Sequence, residues 1–277
     1  MEKIVFVGAG SMAEAVIAGI CKQGTVTPSN VFVMNRADEA RLQLLQNTYG
    51  ISIVSADKNE LRNADLIVLA TKPKDVYTAM EQISPLLNEQ AVVLSVLAGV
   101  SMETIELGLG KHAIARSMPN TSAAIGKSAT GIAFNSSMNT KEKQEILKLL
   151  SSIGIVAEVE EDDLHAVTAL SGSGPAYIYY LAEALETAAM RAGIEQRIAR
   201  DLIIQTIEGA ACMLRQTQDE PALLRENVTS PGGTTEAGLR ALTSAGFQEA
   251  VFSCIEHAEK RSRELGSTKV KKSTSSS

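Results

Sequence analysis

Two groups of residues at opposite ends of this chain have the types and spacing of binding sites. Near the start, Gly8-Ala9-Gly10-Ser11-Met12-Ala13 lies between an apolar run beginning at Lys3, KIVFV, and an Ala-rich helical pattern from Glu14 to Ile20. Strand, glycine turn and helix in that order form the G-x-G-x-x-A fingerprint of dinucleotide sites. Gly8 suits the tight turn, Gly10 with Ser11 and Met12 lets a pyrophosphate reach the backbone, and Ala13 allows close packing of helix on strand. Near the other end, Ser230-Pro231-Gly232-Gly233-Thr234-Thr235 runs directly into a second helical pattern. Its glycines admit a ligand to the backbone, and its threonines add hydroxyls where the free N–H groups of a helix start point. That combination suits a carboxylate. The same residues also read as a Pro-Gly turn with a threonine N-cap.

A second strand, Val31 to Met34, ends about 20 residues beyond the first motif, where such folds read the ribose. An NAD-preferring site places an acid there, whereas this chain has Asn35-Arg36. An arginine grips a 2′-phosphate that a carboxylate would repel, so the expected cofactor is NADPH, with NADH as the weaker alternative. Asp38 lies close enough to compete for the ribose, and Arg36 also reads as a solvated surface charge. Three further turns follow strand patterns: Ala70 with Thr71-Lys72-Pro73, Ala98-Gly99-Val100, and Met118-Pro119-Asn120-Thr121. Each alone fits ordinary turn chemistry, but their recurrence at successive strand ends points to the nicotinamide half of a cofactor. The segment Ser171-Gly172-Ser173-Gly174-Pro175-Ala176-Tyr177 interrupts a helical pattern with two glycines and a proline, which propensity strongly disfavours. Either one helix ends and another starts with Pro175 in its first turn, or a helix bends so that small residues such as Ser173 meet the nicotinamide.

The elements that must hold these groups alternate up to about Glu160. Buried-strand runs at Asp65 to Ala70, Ala91 to Val96, Ala113 to Ser117 and Gly131 to Phe134 alternate with helical patterns, predicting an α/β fold with a doubly wound, mostly parallel sheet of Rossmann type. From Asp162 onward strand signals vanish. Leu164 to Arg191, Arg197 to Arg215, Ala222 to Asn227, Thr235 to Thr243 and Gln248 to Leu265 read as helices of an all-α C-terminal domain. The expected domains are therefore 1–160 for the dinucleotide, 161–266 for substrate and dimerisation, and a disordered Ser/Lys-rich tail over 267–277. The acidic run Glu158, Glu160, Glu161, Asp162 and Asp163 reads as charge favouring the dipole of the next helix rather than as a metal site. His112, His165 and His257 are scattered, and no metal is expected.

With 277 residues and 45% apolar composition the chain has enough material for real cores, and a net charge of −6 argues against nucleic acid. Cys21, Cys212 and Cys254 read as reduced thiols of a cytoplasmic protein, with no signal peptide and no membrane-spanning run. Apolar residues on more than one face of the C-terminal helices, such as Leu181, Leu185, Ile203 and Ile207, predict an obligate homodimer through that domain.

In this order and spacing, GAGSMA, the TKP and AGV turns, MPNT, SGSGPAY and PALLRENVTSPGGTTEAGLRAL resemble pyrroline-5-carboxylate reductase. The resemblance runs from about Lys3 to Leu265 and departs at Ser122, where the family commonly has proline; the tail has no counterpart. It implies NAD(P)H-dependent reduction of 1-pyrroline-5-carboxylate to L-proline, the last step of proline biosynthesis. It also implies a C-terminal domain that interlocks in a homodimer or higher homo-oligomer. Ser230, Gly232, Gly233, Thr234 and Thr235 are then the substrate site, with Thr235 as the catalytic side chain, bonded to the ring nitrogen. Hydroxyacid dehydrogenases share the general layout but carry a catalytic lysine after their helical-domain glycine motif, and Ser171 to Leu185 contains none. A non-catalytic nucleotide sensor would have no reason to keep the SPGGTT segment.

Overall fold

A computed structural model of the chain describes residues 1–267. It divides into two compact units, one comprising Met1–Ser173 with the chain from Ala258 onward, the other Gly174–His257. The segment expected to be a tail opens with Ser267, the last residue of the final helix, and from 268 onward lies outside the described residues.

In the first unit, eight strands form one sheet: β1 (Ile4–Val7), β2 (Val31–Met34), β3 (Ser52–Ile53), β4 (Leu66–Leu69), β5 (Val92–Ser95), β6 (Ile114–Met118), β7 (Ser128–Phe134) and β8 (Gly154–Glu158). Their order across the sheet is β3-β2-β1-β4-β5-β6-β7-β8, with Ile4 opposite both Val31 and Leu66. β1 to β6 are parallel; β7 runs antiparallel to β6 and β8 parallel to β7. Successive strand residues point to opposite faces, which is why the runs IVFV, LIVL and VVLS are apolar throughout. Ile4, Phe6, Leu66 and Val68 enter one core, while Val5, Val7, Ile67 and Leu69 enter the other.

Each face is closed by helices whose apolar stripe repeats at helical spacing. α1 (Ser11–Gln23) and α2 (Glu39–Tyr49) cover the first face through Ala13, Val16, Ile17 and Ile20 and through Leu42 and Leu45. α3 (Asn59–Arg62) leads into β4, α4 (Val76–Ile83) and α5 (Met102–Leu109) cover the second face, and α6 (Thr140–Leu150) returns to the first. Each fully buried Ile, Leu or Phe contributes about 1.5–3 kcal/mol, and Phe6 is the largest of these side chains.

The long helix expected from Leu164 to Arg191 is three pieces. α7 (Leu164–Val167) passes into a π turn over Thr168–Gly172, where the Ser173 N–H reaches back to the Thr168 carbonyl at 2.8 Å, and α8 (Gly174–Arg191) follows with Pro175 in its first turn. The second unit holds α8, α9 (Gln196–Thr217), α10 (Pro221–Asn227), α11 (Thr234–Ser244) and the first half of α12 (Phe247–Ser267). α8 and α9 pack together and are tied by a two-pronged ion pair, Arg200 Nε and Nη2 donating to Glu186 Oε1 and Oε2 at 2.7 and 2.9 Å.

Candidate active site

Because β1, β2, β4, β5 and β6 are parallel, the turns after them all emerge at one edge of the sheet, and the strand order reverses between β1 and β4. Ligands of open α/β sheets bind at that reversal. Gly8 sits there with φ +116°, its N–H donating to the Met34 carbonyl at 2.8 Å. A Cβ at Gly8 would strike the Ala70 carbonyl and come within 2.7 Å of the Thr71 nitrogen, so only glycine lets these two turns meet. Gly10, in contrast, is exposed, and a Cβ there would touch nothing within 4 Å. It is the N-cap of α1 and offers no side-chain cap, which leaves the N–H groups at Ser11 and Met12 without one. Beside the turn, the buried Thr71 hydroxyl has no hydrogen-bond partner among the described residues. The donors, the open glycine face and the helix start fit the pyrophosphate of a dinucleotide.

The neighbouring turns divide into those with free groups and those whose groups are engaged. Arg36 is 79% exposed and, among the described residues, pairs only with the Asp75 carboxylate, at 3.8 Å. Asn35 is turned inward: its Nδ2 donates to the Asp38 carbonyl at 2.7 Å, and its Oδ1 accepts from the Asp38 N–H at 3.0 Å. Asp38 caps α2 by accepting from the Arg41 N–H at 2.9 Å, so the acid expected to compete for a ribose is spent on a helix start. Lys72 and Pro73 are exposed at the entry to a short 3₁₀ turn, and Ala98 is exposed beside Gly99. Gly99 lies against Leu265 and Gly266, at the end of α12.

After β6, Met118 is half-buried and Pro119 and Asn120 are buried. The Asn120 amide is engaged on both sides, Nδ2 donating to the Ser171 carbonyl at 3.0 Å and Oδ1 accepting from the Ser122 N–H at 3.1 Å. A Cβ at Gly172 would lie 2.9 Å from the Met118 thioether methyl. The structure thus joins the MPNT turn to the π turn that leads into Ser173, and Asn120 acts there through its hold on that turn.

The acidic run does not serve its own helix. Asp163 stands at the N-cap of α7 without a side-chain bond. Glu161 Oε1 instead accepts from Met102 N–H, at the start of α5, at 2.7 Å and from the buried Arg116 Nη1 at 3.1 Å, while Asp162 pairs with Arg263 at 2.7 Å and Glu158 with Lys143 at 2.7 Å. The buried Arg116 holds Glu161 because an unpaired guanidinium inside the fold costs more than an uncapped helix end, whereas the Asp162 and Glu158 pairs lie at the surface.

In the second unit, the turn from Ser230 closes when the Gly233 N–H donates to the Ser230 carbonyl at 3.0 Å, and Gly232 takes φ +71°. Gly233 is the N-cap of α11 and makes no side-chain cap, so neither threonine caps the helix through its hydroxyl. The Gly233 N–H is therefore occupied, and among the described residues the unpaired donors are those of Thr234, Thr235 and Glu236, the Ala237 N–H already reaching Gly233. Ser230, Thr234 and Thr235 are exposed. Glu236, which sequence reading passed over, accepts from the Gly232 N–H at 2.6 Å; an acid in the first turn after a glycine pair was its only signal.

Residues 161–265 match the family described as pyrroline-5-carboxylate reductase dimerisation, and residues 3–99 match the one described as NADP oxidoreductase coenzyme F420-dependent. The chain is 48% identical over 267 residues to pyrroline-5-carboxylate reductase 2 of Bacillus subtilis (strain 168), covering 96% of this chain and 95% of that protein. The chain belongs to the pyrroline-5-carboxylate reductase family. Among solved structures of the family, one from Coxiella burnetii superposes with a TM-score of 0.90 at 35% identity, covering 96% of this chain and 99% of that one. The Plasmodium falciparum structure, with NADP bound, gives 0.85 at 28% identity, covering 96% and 98%. The α/β sheet unit and the helical C-terminal region read from the sequence are thus those of this family.

Proposed function

We propose that the chain reduces 1-pyrroline-5-carboxylate to L-proline, the closing step of proline biosynthesis, with NADPH preferred over NADH. The observation that carries this reading is the coexistence in one family member of an open glycine turn at the sheet's reversal point and a second turn presenting the unpaired N–H groups of Thr234, Thr235 and Glu236. A dinucleotide seated by the first turn would supply the hydride for the C=N carbon. Gly8, Gly10, Ser11 and Met12 seat the pyrophosphate, and Arg36, exposed and loosely paired, takes the 2′-phosphate. The α11 turn fixes the substrate carboxylate, and the Thr235 hydroxyl bonds the ring nitrogen. Orientation is the main demand on the protein, because the iminium brings its proton from solution.

Residues 1–160 act as the cofactor domain and 161–266 as the substrate and dimerisation domain. Exposed apolar side chains within the helical unit, among them Tyr180, Leu202, Ile204 and Phe252, fit a homodimer formed through it. Three free cysteines and the lack, among the described residues, of any helix long and apolar enough to cross a membrane fit a cytoplasmic enzyme. The test is loss of NADPH absorbance on adding 1-pyrroline-5-carboxylate, compared with a 2-keto acid and, in reverse, a 3-hydroxy acid. Turnover of either comparison compound but not of the imine would overturn the proposal.

A further inference from the structure

We infer that Arg41 is a positioning residue that aims the glycine turn at the cofactor's pyrophosphate and cancels an acid beside it; the inference rests on the cofactor reading above. Arg41 stands in the first turn of α2 and reaches across to α1. Its Nε donates to the Ala9 carbonyl at 2.8 Å, and its Nη2 donates to Glu14 Oε2 at 2.6 Å. Its own N–H is held by Asp38, in the loop that carries Arg36. The Tyr49 hydroxyl, from the last turn of α2, donates to the other Glu14 oxygen at 3.1 Å. Burial and the Glu14 carboxylate push the Tyr49 phenol up, so it stays a donor at neutral pH. One residue therefore connects the glycine turn and the start of α1 through its side chain, and the loop that carries Arg36 through its backbone N–H.

Two physical consequences follow. In a planar trans peptide the carbonyl and the following N–H point in opposite directions. Anchoring the Ala9 carbonyl on the α2 side therefore turns the Gly10 N–H the other way, and Gly10 is where the backbone lies open. The second consequence is electrostatic. Glu14 occupies the first turn of α1, where its charge favours the dipole but opposes an anionic ligand at the same helix start. With both side chains about a third exposed or less, at 23% for Arg41 and 32% for Glu14, the ion pair neutralises that charge beside the site.

The test is binding of NADPH and of NADH to the full chain, followed by the fluorescence of the reduced cofactor, together with a thermal melt of each variant. Arg41→Met is expected to raise Kd for both cofactors by one common factor of about ten- to hundredfold, the scale of a lost charge-assisted hydrogen bond. Arg41→Lys keeps the charge but loses the paired geometry, and should fall between the two. The double variant Arg41→Met/Glu14→Gln, which also removes the stranded acid, should recover part of the loss, and the imine KM at saturating cofactor should not move. A folded Arg41→Met with unchanged Kd values overturns the inference. So does a loss confined to NADPH, which would make Arg41 a phosphate ligand, or a double variant no better than the single. If Arg41→Met does not fold, Arg41→Lys decides by the same equal rise for both cofactors. A wild-type chain that binds neither dinucleotide removes the cofactor reading itself, whereas binding that Arg41 substitutions leave untouched removes only this inference.

Discussion

The Gly232 N–H donates to Glu236 Oε2 at 2.6 Å, so the turn proposed to hold the substrate carboxylate already holds a carboxylate of its own. The bond pins Gly232 in its left-handed conformation, and Arg240 Nη2, 3.6 Å from the other Glu236 oxygen, balances part of the charge. Glu236→Gln keeps an acceptor for Gly232 and drops the charge. Its imine KM should fall about two- to fourfold, the Coulomb scale for two carboxylates a few ångströms apart in water. Glu236→Ala also releases the turn and should raise KM. Steady-state kinetics at saturating NADPH checks both, and a raised KM in the Gln variant would show that the charge assists rather than opposes the substrate.

The proposed hold of Arg36 on a 2′-phosphate can be tested through cofactor choice. Among the described residues only an exposed 3.8 Å contact with Asp75 competes for it, and surface pairs of that kind contribute little. Arg36→Ala should raise KM for NADPH about tenfold or more, as expected for a lost charge-assisted contact at an exposed site, and leave that for NADH nearly unchanged. Measuring both cofactors on one preparation decides the matter; equal losses would assign Arg36 to the general shape of the loop.

How far the sequence could be read depended on whether the deciding partner was near in the chain. β2 ends where the run VFVM ends, and β1, β4 and β5 fall within their apolar runs, because buried parallel strands must be apolar on both faces. β3 and β8 left no comparable signal: one has two residues, and the other is a half-exposed strand at the sheet's edge. The SGSGP break was visible as disfavoured residues, but its form as a π turn depends on Asn120 and Met118, some fifty residues away. The turn at Gly8 was legible because the glycine spacing encodes its φ of +116°, whereas Gly10 is extended and contributes only the lack of a side chain. Engagement of Asn35, Asp38 and the Gly233 N–H was not legible, since which donor meets which acceptor is settled only when the turns close.

The His165 imidazole gives stability a pH dependence. Its Nδ1 bonds the Ser262 hydroxyl at 2.9 Å, and burial, followed by the nearby Arg116 and Arg263 charges, pushes its pKa below the usual 6.5, against the opposing pull of Asp162 and Glu259. The fold thus prefers the neutral ring. As pH falls through 6.5 the unfolded chain takes up the proton first, so this contribution is complete above that value and is lost as pH drops toward the lower folded-state value. The wild-type Tm should therefore fall more steeply than that of His165→Gln between pH of about 7.5 and about 5.5. Parallel curves for the two proteins would remove His165 as the source.

Thr235 offers the sharpest separation of structure from chemistry. It is the second residue of α11, exposed, and does not cap the helix, which leaves its hydroxyl without a folding role to lose. Thr235→Ala should then melt close to the wild type, whereas loss of an N-cap would cost about 1 kcal/mol. If the hydroxyl bonds the ring nitrogen, kcat/KM for the imine should drop about ten- to hundredfold, the scale of one hydrogen bond to a charged group. Affinity for NADPH should stay put, because the residues assigned to the cofactor lie in the sheet unit, at Gly8, Gly10 and Arg36. Thr235→Ser, which restores the hydroxyl without the methyl, should regain most of the activity. An alanine variant that reduces the imine at the wild-type rate would take Thr235 out of the reaction and leave the backbone N–H groups of α11 as the whole of the substrate anchor.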